Sequence, residues 1–206
     1  MEFMYKIEVY PLGIYQANCY LVWKENHLVM IDPGGKSKQL IQQIEEKKGI
    51  VDAILLTHGH FDHIGGVDYY ASYFDCPVFI DEMDEPLLRD VVLNCSLPGR
   101  ETTVKTAVQH YCVGKNSIGN FIFQVYFAPG HTRGCVMLEL ESYLFSGDVL
   151  FQGSIGRCDL PQSDPKAMRK SLNMIKKMRP SLIVYPGHGP VTTLKDEMSY
   201  NPYLIR

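Results

Sequence analysis

The sequence has no excess of positive charge, no closely spaced cysteine pair and no long hydrophobic run. Its 206 residues include 20 Lys and Arg against 23 Asp and Glu, a formal net charge of −3. Without a basic excess to neutralise phosphates, binding to nucleic acid is not expected. No apolar stretch approaches the length of about 18 residues that would span a membrane, so membrane association is not expected either.

The six cysteines are scattered and form no Cys-x-x-Cys pair. This usage is typical of buried, reduced thiols and argues against a disulfide framework or a zinc ribbon. The first six residues lack the basic-then-apolar pattern of a signal peptide. We therefore expect a cytoplasmic protein.

Hydrophobic residues make up 46% of the chain, enough to bury a sizeable core, and we expect one domain over residues 1–206. Local patterns predict short strands alternating with a few helices, and residues 81–100 are predicted as helix and loop. The predicted strands cover 7–10, 18–23, 28–31, 53–56, 77–80, 121–127, 135–140, 143–145 and 182–185, and the helices 37–48, 67–73 and 166–178.

Histidine is scarce, yet three of the seven histidines fall within six residues, in the segment His58-Gly59-His60-Phe61-Asp62-His63. Other candidate ligands follow predicted strands. The two halves of the chain also resemble each other weakly, since in each half an Asp follows one strand and a His-Gly pair follows a later strand. Because α/β folds usually bind ligands at the carboxyl ends of strands, we expect these side chains to meet. The further residues are Asp32, His131, Asp148 and His188.

Imidazole and carboxylate groups are the ligands expected for zinc, iron or manganese. In an extended loop, residues two apart point the same way, so His58 and His60 can bind one ion together. Asp62 and His63 face differently, which suits a second ion nearby, and Asp148 could bridge the two. His27 and His110 lie outside the pattern and are interpreted as ordinary core or surface residues.

These residues resemble the metallo-β-lactamase superfamily, and most closely its single-domain glyoxalase II-like (hydroxyacylglutathione hydrolase-like) hydrolases. The segments 18–22, 153–159, 185–190 and 201–204 support the resemblance, which runs across nearly the whole chain. The resemblance implies an α/β fold, a four-layer αββα sandwich of two mixed sheets flanked by helices. The metals are expected at one edge of the two sheets.

The resemblance also implies roles for individual residues. His58, His60 and His131 would bind the first metal, Asp62, His63 and His188 the second, with Asp148 bridging. Two divalent ions are expected; zinc is the preferred metal, and iron and manganese are the alternatives. A hydroxide between them would attack a small-molecule substrate, a thioester in the first interpretation, with Asp62 and Asp148 as catalytic carboxylates. Asp32 would support the site from behind, or would only cap a turn.

Several alternatives stay open at this point. One is a persulfide dioxygenase-like oxidoreductase with a single iron held by His58, His131 and Asp148; another is a lactonase or other ester or amide hydrolase. Arg157 either binds a substrate carboxylate or pairs with Asp159. Glyoxalase II itself adds a helical domain with glutathione contacts, and only 18 residues follow His188, so the natural thiol stays open. The oligomeric state and a redox role for Cys135 and Cys158 also stay open.

Overall fold

The computed structural model describes residues 5–205. Residues 1–4, part of the segment in which no signal-peptide pattern was found, and residue 206 lie outside the described residues. The elements are β1 (Lys6–Leu12), β2 (Ala17–Lys24), β3 (His27–Ile31), α1 (Lys38–Glu46), β4 (Ile50–Leu55), α2 (Phe61–Ile64), α3 (Val67–Phe74), β5 (Val78–Ile80), β6 (Val108–His110), β7 (Gly114–Ile118), β8 (Phe121–Phe127), β9 (Val136–Leu140), β10 (Tyr143–Gly147), β11 (Leu150–Phe151), β12 (Ser154–Ile155), α4 (Pro165–Ile175), β13 (Ile183–Pro186), β14 (Thr192–Thr193) and α5 (Leu194–Tyr200).

The strands form two six-stranded mixed sheets and one small hairpin. The first sheet has the order β1-β2-β3-β4-β5-β6, and the second β14-β13-β10-β9-β8-β7. In the first sheet β3 to β6 run parallel, whereas in the second only β10 and β13 do. The hairpin of β11 and β12 stands apart from both sheets.

Three hydrophobic layers hold the sheets and helices together. Strand β3 illustrates the arrangement: Leu28 and Met30 face helices α1 and α3, whereas Val29 and Ile31 face the second sheet. This alternation follows from the two-residue period of a strand. A third layer joins the second sheet to α4 and α5. The resulting order of helix, sheet, sheet and helix confirms the predicted αββα sandwich.

The two long amphipathic helices begin at residues that cap their free amides. The Ser37 hydroxyl accepts from the Leu40 amide at 3.1 Å before α1. The Asp164 carboxylate accepts from the Lys166 amide at 2.7 Å before α4, with Pro165 in the first turn. Ser37 and Asp164 are thus the N-caps of α1 and α4.

Several short elements were not predicted. They include β6, β7, the β11–β12 hairpin, β14 and α5, and residues 81–100 hold a single 3₁₀ turn at Glu85–Leu88 between irregular turns. The pieces β11, β12 and β14 are two residues long, too short for an alternating pattern to be recognised. Within residues 5–205, no helix combines the length and apolar character needed to cross a bilayer.

The weak repeat seen in the sequence corresponds to two similar strand connections. In each sheet one parallel pair of strands is linked by a chain segment that contains a helix: β3 and β4 through α1, and β10 and β13 through α4. Asp32 and Asp148 follow the first strand of each pair, and His58 and His188 follow the second. The pairing therefore delivers all four side chains to the same edge of the sandwich.

Candidate metal centre

Seven side chains from four connecting segments converge at this edge of the two sheets. His58 and His60 lie in the loop after β4, and the one-turn helix α2 that follows carries Asp62 and His63. His131 follows β8, Asp148 follows β10 and His188 follows β13. All seven were named from the sequence as candidate ligands, and the structure brings them together.

A first group consists of His58, His60 and His131, all of them buried. One ring nitrogen from each lies within 4.8 Å of the others. His60 Nδ1 and His131 Nε2 are 2.8 Å apart. These are the three residues expected to bind one ion, and two of them, His58 and His60, lie two residues apart in an extended loop.

A second group consists of Asp62, His63 and His188, and its ligand atoms also lie within 4.8 Å of one another. His188 Nε2 is 3.2 Å from Asp62 Oδ2 and 3.4 Å from His63 Nε2. Asp62 and His63 therefore face a different point from His58 and His60, as their positions in the loop predicted.

Asp148 lies between the two groups. Its Oδ1 is 3.4 Å from His63 Nε2, and its Oδ2 is 3.4 Å from His131 Nε2. The backbone of Gly187 passes so close that an added Cβ would be 2.2 Å from Asp148 Oδ1. A side chain at position 187 would fill the space beside this carboxylate, so the site requires glycine there.

Hydrogen bonds behind the site orient three of the imidazoles. Asp32 Oδ2 is 3.0 Å from His63 Nδ1 and accepts the Thr57 hydroxyl at 2.5 Å. That hydroxyl oxygen is 3.1 Å from His58 Nδ1, and His131 Nδ1 is 2.9 Å from the Arg157 carbonyl. Asp32 and the Arg157 carbonyl can only accept, and the Thr57 hydroxyl has already donated its hydrogen to Asp32. Nδ1 therefore carries the hydrogen in all three rings and Nε2 presents a lone pair to the centre.

Asp32 also accepts from the Thr57 amide at 2.8 Å, so its carboxylate is bonded on the side away from the centre. A third set of possible ligands, Asp32, His58 and His63, lies within 4.8 Å as well. The bonds from Thr57 and His63 already occupy Asp32, which places it behind the site.

A bound cation would satisfy buried ligand atoms of the site that have no hydrogen-bond partner within the protein. Among the described residues, His58 Nε2 and Asp148 Oδ1 are buried side-chain atoms without a hydrogen-bond partner. Leaving such an atom unpaired costs about 1–3 kcal/mol. Burial lowers the pKa of His58, and burial together with His131 lowers that of His60 to about 3. Both rings are therefore neutral at pH 7, the form that binds metal. Nitrogen and carboxylate donors suit zinc, iron or manganese.

A cavity of about 550 Å³ opens above the centre. Tyr15 and Phe61 form one wall, with ring centroids 5.4 Å apart. The mouth of the cavity is apolar apart from Arg157 and Cys95. The remaining apolar lining residues are Leu97, Phe151, Ile155 and Leu160.

Asp84 is a structurally important residue that sequence reasoning missed. It is fully buried and lies in the segment predicted only as helix and loop. Its Oδ2 accepts from the Gly59 amide at 3.0 Å and from the Thr132 hydroxyl at 2.6 Å, and its Oδ1 accepts from the Gly134 amide at 2.6 Å. Asp84 thus joins the loop of His58 and His60 to the loop of His131.

We expect Asp84→Ala to lower the free energy of unfolding by about 3 kcal/mol, because three buried donors lose their acceptor. Catalytic efficiency should also fall, since the two loops that place His60 and His131 are no longer tied together. Denaturant unfolding and steady-state kinetics measure the two effects. Glu82→Ala, an exposed acid two residues away, is the control and should change stability by less than about 0.5 kcal/mol. An equal loss in both variants would contradict this role.

Glu197 and Asn201, on and just after α5, attach the β11–β12 hairpin to the rest of the chain. Glu197 Oε2 accepts from the Gly153 amide and from Asn201 Nδ2, both at 2.8 Å. Asn201 Nδ2 also donates to the Ser154 carbonyl at 3.0 Å. The segment 201–204 that supported the family resemblance therefore holds the hairpin that carries Phe151 and Ile155 into the cavity wall.

Comparison with known proteins agrees with this geometry. The sequence profile of the metallo-β-lactamase superfamily matches residues 12–188. Hydroxyacylglutathione hydrolase GloC of Haemophilus influenzae is 34% identical over 206 residues, covering 96% of this chain and 97% of GloC.

Solved structures give the same result. The crystal structure of the B3 metallo-β-lactamase BLEG-1 is 40% identical with a TM-score of 0.93, covering 98% of this chain and 100% of that one. TTHA1623, solved in a di-iron-bound form, is 39% identical with a TM-score of 0.86, covering 96% of this chain and 100% of that one.

Proposed function

The chain belongs to the metallo-β-lactamase superfamily, a family of metal-dependent hydrolases, and from that premise we propose that it hydrolyses thioesters at a centre of two divalent ions. The observation that carries the proposal is the arrangement of two ligand groups on either side of Asp148 beneath an apolar cavity. The similarity to GloC along nearly the whole chain supports a thioester as the substrate.

In this proposal His58, His60 and His131 would hold one ion, Asp62, His63 and His188 would hold the other, and Asp148 would be shared between them. Zinc is proposed as the metal, and iron or manganese would suit the same nitrogen and oxygen donors. When bound, the ions supply a water of lowered pKa and positive charge to stabilise the oxyanion that develops on the carbonyl.

The protein residues would position the reactants. Besides its contacts with the ions, the Asp148 carboxylate would accept a hydrogen from the attacking water. Asp62 would orient the same water from the opposite group. The Tyr15 and Phe61 wall would exclude bulk water and contact the acyl group. The C–O bond to the water oxygen forms first and leaves the negative charge on the carbonyl oxygen. The C–S bond then breaks as the carbonyl re-forms, and the departing thiolate takes up a proton in solution; thiolates leave readily because thiols are comparatively acidic.

Arg157 is proposed as a contact for a substrate carboxylate. It lines the cavity mouth, and its guanidinium makes a bidentate contact with Asp159, at 2.9 and 3.0 Å. The side chains of Arg157 and Asp159 are 68% and 70% exposed. An exposed ion pair contributes little to stability, so a substrate carboxylate can replace Asp159 at small cost.

Hydrolysis of β-lactams is the second candidate, because BLEG-1 is described as a metallo-β-lactamase and is 40% identical. Both reactions add water to a carbonyl carbon, and they differ in the leaving group. A thiolate needs little protonation to depart, whereas an amide nitrogen needs a proton donor.

A substrate panel tests the proposal. Metal-replete protein should hydrolyse an acyl thioester at least tenfold more efficiently than the oxygen ester of the same acyl group or a chromogenic β-lactam. Release of thiol is followed by a colorimetric reagent, and oxygen uptake is recorded with a persulfide in parallel. Faster cleavage of the β-lactam would favour the second candidate. Oxygen consumption with a persulfide would show that the protein catalyses an oxidoreductase reaction and would contradict the proposed hydrolysis.

A further inference from the structure

The cavity above the metal centre has an aromatic end, formed by Tyr15, Phe61 and Phe151. This end lies beside the second ligand group. Phe61 directly precedes Asp62 in α2, and the Phe151 ring meets the His188 imidazole edge to face, with centroids 6.1 Å apart. Tyr15, in the turn between β1 and β2, packs on Phe61 at an interplanar angle of 68°. The wall next to Asp62 and His188 is therefore built from aromatic carbon.

The charge of the cavity wall belongs to the first ligand group instead. The backbone carbonyl of Arg157 is 2.9 Å from His131 Nδ1, so this residue adjoins the group of His58, His60 and His131. Apart from the candidate metal ligands, Arg157 is the one charged side chain among the described residues that line the cavity. Asp148 lies between the two groups. A thioester carbonyl near Asp148 would thus have aromatic wall on one side and a cation on the other.

The aromatic end presents apolar surface that the chain itself leaves uncovered. Tyr15 is 52% exposed, and Phe151 and Ile155 are half-buried. Leu97 and Leu160 continue the same apolar lining. Burial of apolar surface from water drives binding, and each methylene group that a ligand buries raises affinity about fourfold. An apolar acyl group would therefore gain affinity with each added carbon.

A hydroxylated acyl group finds little to bond at this end. The side chains of Phe61, Phe151 and Leu97 carry no hydrogen-bond donor or acceptor. A hydroxyl group that leaves water for such surroundings without a partner loses binding free energy. The wall therefore disfavours 2-hydroxyacyl groups, the class that the name of GloC specifies for that relative.

We propose that the substrates are thioesters of apolar acyl groups rather than of 2-hydroxyacyl groups, an inference that rests on the thioesterase function proposed above. The acyl chain lies against Tyr15, Phe61 and Phe151, and the thiol portion extends towards Arg157. Tyr15 contributes to this specificity from outside the metal ligands and their supporting hydrogen bonds.

Three thioesters of one thiol, N-acetylcysteine, test the acyl preference. The kcat/KM of the butyryl ester should exceed that of the acetyl ester about tenfold, because two more methylene groups are buried. It should exceed that of the 2-hydroxybutyryl ester at least about fivefold. Each value is divided by the rate at which hydroxide alone cleaves the same ester, which removes differences in intrinsic reactivity. A 2-hydroxybutyryl ester cleaved as well as the butyryl ester would refute the proposal and leave the thioesterase standing.

Two neighbouring substitutions in one turn test the wall. Tyr15→Ser should lower the butyryl-to-acetyl ratio of kcat/KM at least about threefold, because the acyl chain loses a ring to pack on. Ile14→Ser is the matched control, since Ile14 is 51% exposed and lies outside the cavity lining, and it should leave this ratio unchanged. The ratio does not depend on the fraction of folded or metal-loaded protein. Equal changes in both variants would contradict the role of Tyr15.

Binding of thioethers, which cannot be hydrolysed, separates this proposal from the function it rests on. Calorimetry with metal-replete protein should show that S-butyl-N-acetylcysteine binds at least about tenfold more tightly than S-methyl-N-acetylcysteine. This preference without hydrolysis of any thioester would support the apolar acyl site and refute the thioesterase. Equal affinities, or no binding of either thioether at millimolar concentration, would overturn the proposal.

Discussion

Asp62→Ala is expected to reduce kcat/KM for a thioester by at least about 10³-fold, equivalent to about 4 kcal/mol of transition-state stabilisation. The reason is that Asp62 is the only carboxylate in the group with His63 and His188. Without it His63, His188 and the shared Asp148 remain to hold the second ion, and water in the cavity loses one orienting oxygen. The loss is measured by steady-state kinetics with metal in excess.

The fold should survive this substitution. Asp62 lies in the one-turn helix α2, and its side chain pairs with His188 at the centre. Circular dichroism and the Tm of the metal-free protein should therefore match the wild type within a few degrees. Glu46→Ala, which removes an exposed carboxylate at the end of α1, is the control and should keep full activity. An active Asp62→Ala variant would rule out the two-metal mechanism.

Removal of the metal ions is expected to abolish activity and to lower the Tm by about 10 °C. A ligand present at a thousand times its Kd stabilises a protein by about 4 kcal/mol. In a domain of this size each kcal/mol corresponds to about 2–4 °C. The loss is large because His58, His63 and Asp148 are buried at the centre, and bound ions would satisfy the buried atoms that have no hydrogen-bond partner. Dialysis against a chelator followed by calorimetry measures both effects.

Refilling the chelated protein identifies the metal. Zinc, iron and manganese are added back separately, and the metal bound per chain is counted with the recovered activity. We expect two ions per chain for the wild type and one for Asp62→Ala. Full activity with one ion, or full activity after chelation, would contradict the proposed centre.

Much of the site could be predicted because its ligands are encoded locally. His58 and His60 are two residues apart in an extended segment, and the two-residue period alone directs them to one point. Asp148 and His188 follow strands that the hydrophobic pattern identifies. Helices α1 and α4 were predicted for the same reason, since their apolar residues and caps lie within a few turns of each other.

Residues whose role depends on distant partners could not be predicted in this way. Asp84 accepts from Gly59 and Gly134, which are 25 and 50 residues away. Glu197 accepts from Gly153, 44 residues away, in a hairpin of two-residue strands. No periodicity connects such positions, because these contacts exist only after the two sheets have packed together.

The sequence by itself determined the candidate ligand types, their order along the chain and most of the strands and helices, because hydrophobic period and side-chain chemistry are local properties. The layered arrangement was implied by the family resemblance. Tertiary structure alone decided which nitrogen of His58, His63 and His131 faces the centre, since Asp32, Thr57 and the Arg157 carbonyl fix the other one. It also decided that helix α4, with its several lysines and arginines, borders an apolar groove. Charge along a helix is visible in a sequence, but the surface that it adjoins is created by packing.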